Sequence, residues 1–142
     1  MRLVVDSNVV FAGRLRDGTT RALLIHPPCD LLAPEWMLVE IRRYRGEIAA
    51  RAGLPLPEVE LLLGLLTAAI DVVPHDAYAV QMEEANLRIG ARDPGDVPFL
   101  ALALAERCDG IWTQNTTHFE GAGVELWSTE RVVAWTRSGS RG

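Results

Sequence analysis

The sequence predicts an α/β fold, a three-layer α/β/α sandwich around a mainly parallel five-stranded sheet. Short apolar segments alternate along the chain with longer segments of helical periodicity, which is typical of a parallel sheet covered by helices on both faces. The length of 142 residues suits one such domain. Because no interdomain linker is present, we expect a single domain over residues 1–137 and a flexible tail over 138–142.

Five short segments bounded by turn formers are predicted to be strands: residues 3–5, 30–34, 71–74, 110–113 and 124–127. The first is an unbroken apolar run, as expected of a central strand covered on both faces. Asp6, Pro34, Pro74 and Thr113 mark the ends of the first four strands. In parallel sheets, functional sites form beyond the carboxyl ends of the strands, so we expect the site at this edge.

Six segments are predicted to be helices: residues 19–25, 35–52, 57–70, 76–89, 97–107 and 129–136. Pro27 and Pro28 stop the first, since proline cannot continue a helix. Gly53 stands in the usual helix-stop position after the second. The linker over residues 90–96 is rich in turn formers, and the strongly apolar helix that follows it is expected to be buried.

Composition excludes several classes of function. All 14 basic residues are arginine, so neither a Walker A phosphate loop nor a receiver domain with its usual lysine can be built. The net charge of −5 does not attract nucleic acid in bulk. Cys29 and Cys108 form no metal-type motif, and we expect them in the core of a cytoplasmic protein. No apolar run approaches the roughly 20 residues that span a bilayer.

Three separated segments each place a carboxylate where burial is expected. Asp6 ends the first strand, Glu40 borders the apolar stripe of the second helix, and Asp93 and Asp96 precede the apolar fifth helix. Burying an unpaired carboxylate is unfavourable, so acids that converge need a compensating charge. Hard divalent cations take oxygen ligands, and the pattern therefore favours a metal-dependent phosphodiesterase.

Each acid also has a simpler interpretation. Asp6 could cap the segment that follows it, as could Ser7 or Asn8. Asp6 would also suit a phosphotransfer enzyme, but that chemistry usually requires a second aspartate two residues later, where Asn8 stands. Glu40 could form an ion pair three residues along its helix with Arg43, and Asp96 occupies a good N-cap position.

Other charged side chains are less specific. A group of arginines makes the outer side of the second helix basic, either as a solvated face or as a phosphate-contacting rim: Arg42, Arg43, Arg45 and Arg51. Three histidines share no ligand spacing and receive no role from the sequence: His26, His75 and His118.

The ordered set of motifs resembles the PIN domain family of metal-dependent ribonucleases, which includes the VapC-type toxins. The matching pieces are Val-Val-Asp-Ser-Asn around Asp6, Glu40 in the second long helix, Asp-Pro-Gly-Asp-Val-Pro-Phe-Leu-Ala-Leu-Ala at residues 93–103, and Ile-Trp-Thr at residues 111–113. The order and spacing cover the chain to about Trp135, and its end looks closest to an uncharacterised PIN-like branch.

This resemblance implies a Mg²⁺- or Mn²⁺-dependent endoribonuclease, the toxin of a toxin–antitoxin pair or a relative of one. RNA would be the substrate, an antitoxin the protein partner and a homodimer the assembly. The implied metal-binding and catalytic residues are Asp6, Glu40 and Asp96, with Asp93 contributing through water. The implied orienting residues are Ser7, Asn8 and Thr113. If the basic side of the second helix contacts phosphate, the RNA-binding residues are Arg42, Arg43 and Arg45.

One position departs from the family pattern. The family usually has an acid two residues after the threonine of the fourth strand, and here Asn115 stands there, with Thr117 at a second position that is often acidic. The amide oxygen of Asn115 can still be a ligand, but without the charge. The alternative function is therefore a catalytically impaired module that binds RNA or a protein partner without cleavage.

Overall fold

The computed structural model describes residues 1–15 and 18–138, which form the predicted three-layer sandwich. Its five strands are β1 (Arg2–Val5), β2 (Asp30–Pro34), β3 (Ile70–Val73), β4 (Gly110–Trp112) and β5 (Leu126–Trp127). They pair in the order β3-β2-β1-β4-β5, and every pairing is parallel. The fold class predicted from the sequence is therefore confirmed, with β1 at the centre of the sheet.

Seven α-helices accompany the sheet in the described ranges: α1 (Ser7–Leu15), α2 (Gly18–Ile25), α3 (Trp36–Ala52), α4 (Leu56–Thr67), α5 (Met82–Ile89), α6 (Val97–Ala105) and α7 (Thr129–Ser138). Helices α1 to α4 pack on one another, whereas α6 packs on α5 and on β1, β2 and β4. The predicted burial of α6 is confirmed, because all residues from Val97 to Ala103 are buried. Beyond α7, residues 139–142 of the predicted tail lie outside the described ranges.

Helix α1 occupies a segment for which the sequence predicted no element. Its Val9 and Val10 are fully buried, and the helix packs against α2 and α4. Because β-branched residues lower helix propensity, tertiary packing rather than local preference stabilises this helix. The omission matters for the site, since α1 begins directly after Asp6.

The helix predicted over residues 76–89 was wrong in its first half. Two 3₁₀ turns, His75–Ala77 and Ala79–Gln81, precede α5. The amide of Tyr78 donates to the carbonyl of His75, and the amide of Gln81 donates to that of Tyr78, which is the tighter 3₁₀ pattern. The Tyr78 side chain is buried, so this segment is fixed by its packing.

Three other predicted elements extended two or three residues beyond the observed ones. Helix α4 ends at Thr67 because Ile70 already begins β3. Helix α6 ends at Ala105, and Arg107 then adopts a left-handed backbone with φ of 50°. Strand β5 is limited to Leu126–Trp127. In the described part of the chain, no helix combines the length and apolar character needed to cross a membrane.

Candidate metal centre

Asp6 lies at the carboxyl edge of the sheet, where β1 and β4 end side by side. Its backbone amide donates to the carbonyl of Trp112, and the hydroxyl of Thr113 donates to its Oδ2 at 2.8 Å. The carboxylate also accepts the backbone amides of Ser7 and Asn8 at the start of α1. The predicted capping role is thus real, and it holds a carboxylate that is only 5 % exposed in a fixed position.

Glu40 reaches the same edge from α3. Its Oε1 accepts a hydrogen bond of 3.0 Å from the hydroxyl of Ser7, the residue next to Asp6. The simpler interpretation, an ion pair with Arg43, is wrong for the described chain. The guanidinium carbon of Arg43 lies instead 5.6 Å from the ring centre of Trp36.

Asp93 and Asp96 bracket a 3₁₀ turn that leads into α6. Asp93 caps this turn, and its Oδ1 accepts the amide of Gly95 at 2.9 Å. Asp96 stands at the N-cap of α6, but its side chain makes no capping hydrogen bond. Its Oδ2 is buried and has no hydrogen-bond partner. Capping, the simpler interpretation of Asp96, is therefore not what this carboxylate does.

His118 joins these acids, although the sequence gave it no role. One ligand atom from each of Asp93, Asp96 and His118 lies within 4.8 Å of the others. The Nδ1 atom of His118 is 3.4 Å from Oδ2 of Asp96. The histidine belongs to the 3₁₀ turn Thr116–Phe119 that follows β4, so the signal available from the sequence was its place in a loop at the carboxyl edge.

Two of the three predicted orienting residues, Asn8 and Thr113, belong to one hydrogen-bonded group. Asn8 accepts the amide of Gln114 at 3.1 Å, and its Nδ2 lies 3.4 Å from the hydroxyl oxygen of Thr113, to which it donates. The same oxygen accepts the amide of Asn115 at 3.0 Å. The side-chain oxygen of Asn115 accepts a hydrogen bond of 2.7 Å from Thr117. The start of α1 and the loop after β4 are thereby linked.

Of the three predicted RNA-binding arginines, Arg42 is the one that shares a groove with the acidic linker. It lines a groove of about 630 Å³ together with Pro94, Gly95 and part of α3. Arg45 points elsewhere, because its guanidinium forms an ion pair of 3.1 Å with Glu60 of α4. The basic face of α3 therefore divides into a part beside the site and a part that pairs with α4.

Comparison with known proteins identifies the family. A family model described as PIN domain matches residues 4–136. The chain belongs to the PIN domain family. No protein of curated function gives a match.

Two solved structures share this PIN fold at low sequence identity. The structure of VapBC2 from Rickettsia felis bound to a DNA fragment from its promoter is similar with a TM-score of 0.70 and 12 % identity, over 90 % of this chain and 98 % of that chain. The structure of FitAcB from Neisseria gonorrhoeae is similar with a TM-score of 0.61 and 19 % identity, over 92 % and 99 % of the two chains. At these identities the likeness concerns the fold.

The electrostatics of this PIN domain favour bound positive charge. Burial raises the pKa of Asp6 to about 6, against the hydrogen bond from Thr113. Burial, followed by repulsion from neighbouring carboxylates, raises the pKa values of Glu40 and Asp96 to about 7. Such shifts arise where acids are desolvated and lie close to one another. Together with the unsatisfied Oδ2 of Asp96, they fit a divalent cation beside Asp96. The ligand atoms that lie within 4.8 Å of one another are those of Asp93, Asp96 and His118, and Asp6 and Glu40 stand outside that group.

Proposed function

We propose that this PIN domain is a Mg²⁺- or Mn²⁺-dependent endoribonuclease that hydrolyses RNA phosphodiester bonds, as the toxin of a toxin–antitoxin pair or a relative. The proposal is supported by the proximity of Asp6, Glu40 and Asp96 at one edge of the sheet: repulsion from Asp6 contributes to the raised pKa values of Glu40 and Asp96, and Asp96 has an unsatisfied buried oxygen. Among the described residues, no arginine forms an ion pair with any of the three carboxylates.

The three carboxylates would hold the cation directly, with Asp93 acting through water and Asn115 offering an amide oxygen. A bound divalent cation supplies Lewis-acid chemistry, which activates water and stabilises charge on the phosphate. The chain itself fixes the ligands: Thr113 orients Asp6 and Ser7 orients Glu40. Outer-shell partners of this kind keep ligands in a productive geometry.

RNA would approach along the groove beside the acidic linker. Arg42 lines it, and Arg43 lies over the Trp36 ring in the same part of α3. Guanidinium groups bind phosphate oxygens in a bidentate manner, so two arginines can attract RNA locally despite the net charge of −5. Arg45 would contribute less, because Glu60 already neutralises it.

A protein partner and a second copy complete the proposal. The resemblance to VapC-type toxins implies an antitoxin, and the likeness to VapBC2 and FitAcB is in keeping with one. A homodimer would cover apolar side chains that the single chain exposes, among them Leu61, Val80 and Leu87. Cys29 and Cys108 are both free, which suits the proposed cytoplasmic location.

The second candidate is a PIN domain that binds RNA or a protein without cleaving it. Asn115 favours it, because its side-chain oxygen carries no charge and already accepts a hydrogen bond from Thr117. A site with one carboxylate fewer binds Mg²⁺ less strongly. The two candidates differ in what Asn115→Asp does: an impaired site gains cleavage of RNA, whereas a competent site already cleaves.

The test is cleavage of a random-sequence RNA pool with Mn²⁺ and, separately, Mg²⁺. We expect the parent protein to cut the pool and Asp96→Asn to leave it intact. Asp30→Asn is the matched control, since Asp30 is exposed and begins β2 at the opposite edge of the sheet. Cleavage by Asp96→Asn at the parental rate would overturn the proposal. An inactive parent whose Asn115→Asp variant is active would establish the second candidate.

A further inference from the structure

We propose that His118 is a nitrogen ligand of the bound cation, and that the site therefore selects a first-row transition-metal ion such as Mn²⁺, Fe²⁺ or Co²⁺ over Mg²⁺. The inference rests on the proposed function in one respect, namely that the acids hold a divalent cation. It adds a ligand of a different chemical class. Imidazole nitrogen binds transition metals well, whereas Mg²⁺ strongly prefers oxygen.

The distances suit ligands that share one ion. Two neighbouring ligands of an octahedral cation lie about 3 Å apart, and two opposite ones about 4 Å. The Nδ1 atom of His118 is 3.4 Å from Oδ2 of Asp96. The three ligand atoms of Asp93, Asp96 and His118 all lie within 4.8 Å of one another. Small side-chain rotations would bring Asp96 and His118 to one ion, with Asp93 close enough to hold it through a water molecule.

An independent observation points to a ligand between Asp96 and His118. Asp96 is 8 % exposed, yet its Oδ2 accepts no hydrogen bond. The Nδ1 atom of His118, 3.4 Å away, is an ion-pair contact that does not have the geometry of a hydrogen bond to this oxygen. A buried polar atom normally has a partner, and a cation between oxygen and nitrogen would satisfy both atoms.

The loop that carries this histidine is fixed against the acidic linker. Phe119, the next residue, is buried in the core. Arg88 of α5 donates to the carbonyl of Ala122 at 2.7 Å, and Arg92, from the linker itself, donates to the carbonyl of Glu120. The histidine and the two aspartates therefore belong to segments that are tied together, as a preorganised metal site requires.

The competing interpretation is that His118 serves only as an ion-pair partner of Asp96. The two roles predict opposite effects of removing the imidazole. Loss of a ligand weakens cation binding, and more so for a transition metal than for Mg²⁺. Loss of a competing positive charge strengthens the binding of both cations.

Calorimetric titration of Mn²⁺ and of Mg²⁺ into the metal-free protein at pH 8 separates these roles. For His118→Asn we expect a loss of Mn²⁺ affinity of roughly tenfold or more, with a smaller loss for Mg²⁺. His26→Asn is the matched control, because His26 is exposed at the end of α2, and it should leave both affinities unchanged. Equal losses for the two cations, or a gain for both, would overturn the proposal.

Pulsed electron paramagnetic resonance of bound Mn²⁺ gives a readout that does not depend on affinity or on activity. We expect a directly bonded ¹⁴N coupling in the parent protein and none in His118→Asn. Another outcome is that the parent binds Mn²⁺ without nitrogen coupling while Asp96→Asn does not bind it. That result would remove His118 as a ligand and leave the proposed function standing. A parent that binds no divalent cation at all would overturn both.

Discussion

Asp6 and Asp96 are buried to nearly the same extent, with 5 % and 8 % of each residue exposed, but they are satisfied in different ways. Asp6 accepts hydrogen bonds from Thr113 and from two amides of α1. Asp96 leaves one buried oxygen without a hydrogen bond. Desolvation of a carboxylate is tolerated when fixed donors surround it. The difference indicates that Asp6 is fixed in position by hydrogen bonds to the protein, whereas Asp96 keeps one oxygen available for a ligand.

The largest expected effect is a change in the free energy of unfolding of the metal-free protein with pH. Folding raises the pKa of Asp6 from an ordinary 3.8 to about 6 and the pKa values of Glu40 and Asp96 to about 7. The folded state therefore binds more protons than the unfolded state between about pH 4 and 7. The contribution of these three groups to the free energy of unfolding is fully present below pH 4 and is lost as the pH rises to 7.

The expected loss from Asp6 alone is about 3 kcal/mol, since one pKa unit corresponds to about 1.4 kcal/mol. Urea unfolding in the presence of a chelator, repeated from pH 4.5 to 8, measures it. Saturating Mn²⁺ should remove much of the decline, because a bound cation stabilises the ionised acids. A metal-free protein whose stability rises over this range would contradict the assigned pKa shifts.

Thr113→Val should sharpen the contrast from the Asp6 side. Valine keeps the shape but removes the 2.8 Å donor to Asp6, and an unsatisfied buried acceptor costs about 1–3 kcal/mol. Because this hydrogen bond lowers the pKa of Asp6, the variant should also need a higher pH to bind Mn²⁺. Thr67→Val is the control, since Thr67 donates to the carbonyl of Leu63 within α4 rather than to an acid.

Asp96→Asn should have the opposite effect on stability. In the presence of a chelator at pH 8, removing a buried charge with an unsatisfied oxygen should stabilise the protein by about 1 kcal/mol. Thermal unfolding of parent and variant measures this. A clear destabilisation would mean that Asp96 has a structural partner, and the contrast with Asp6 would then disappear.

The smallest effect concerns the basic face of α3. Arg42→Gln should weaken binding of a short RNA about threefold at moderate salt, since one phosphate contact is lost. Arg45→Gln should change it little, because Glu60 neutralises Arg45. Fluorescence anisotropy with a chelator present separates binding from cleavage. If the two substitutions reduce RNA affinity equally, the ion pair with Glu60 does not prevent Arg45 from binding RNA.

The sequence predicted the Asp6 side of the site better than the Asp96 side, for a physical reason. An unbroken apolar run that ends in an acid defines both a central strand and the position of that acid. Helix α3 was equally clear, because Gly53 ends it with a left-handed φ of 65°. Thr113, the partner of Asp6, directly follows β4, and the sequence pattern predicts that strand.

The other side depends on loops, whose conformation is not encoded by periodicity. The burial of Phe119 and the arginine contacts to the loop after β4 place His118 beside Asp96, and none of these contacts has a local sequence signal. The unsatisfied oxygen of Asp96 likewise has no local sequence signal. An N-cap position predicted a hydrogen bond that the helix geometry does not form.

The central claim is that the carboxylates at the end of the sheet bind a divalent cation. Calorimetric titration of Mn²⁺ into the metal-free protein at pH 8, beside Asp96→Asn and the exposed control Asp30→Asn, tests it most directly. The account predicts saturable binding in the parent and in the control, and a loss of roughly a hundredfold or more in Asp96→Asn. Absence of binding in the parent at millimolar Mn²⁺ with an RNA oligonucleotide present, or unchanged binding in Asp96→Asn, would contradict it.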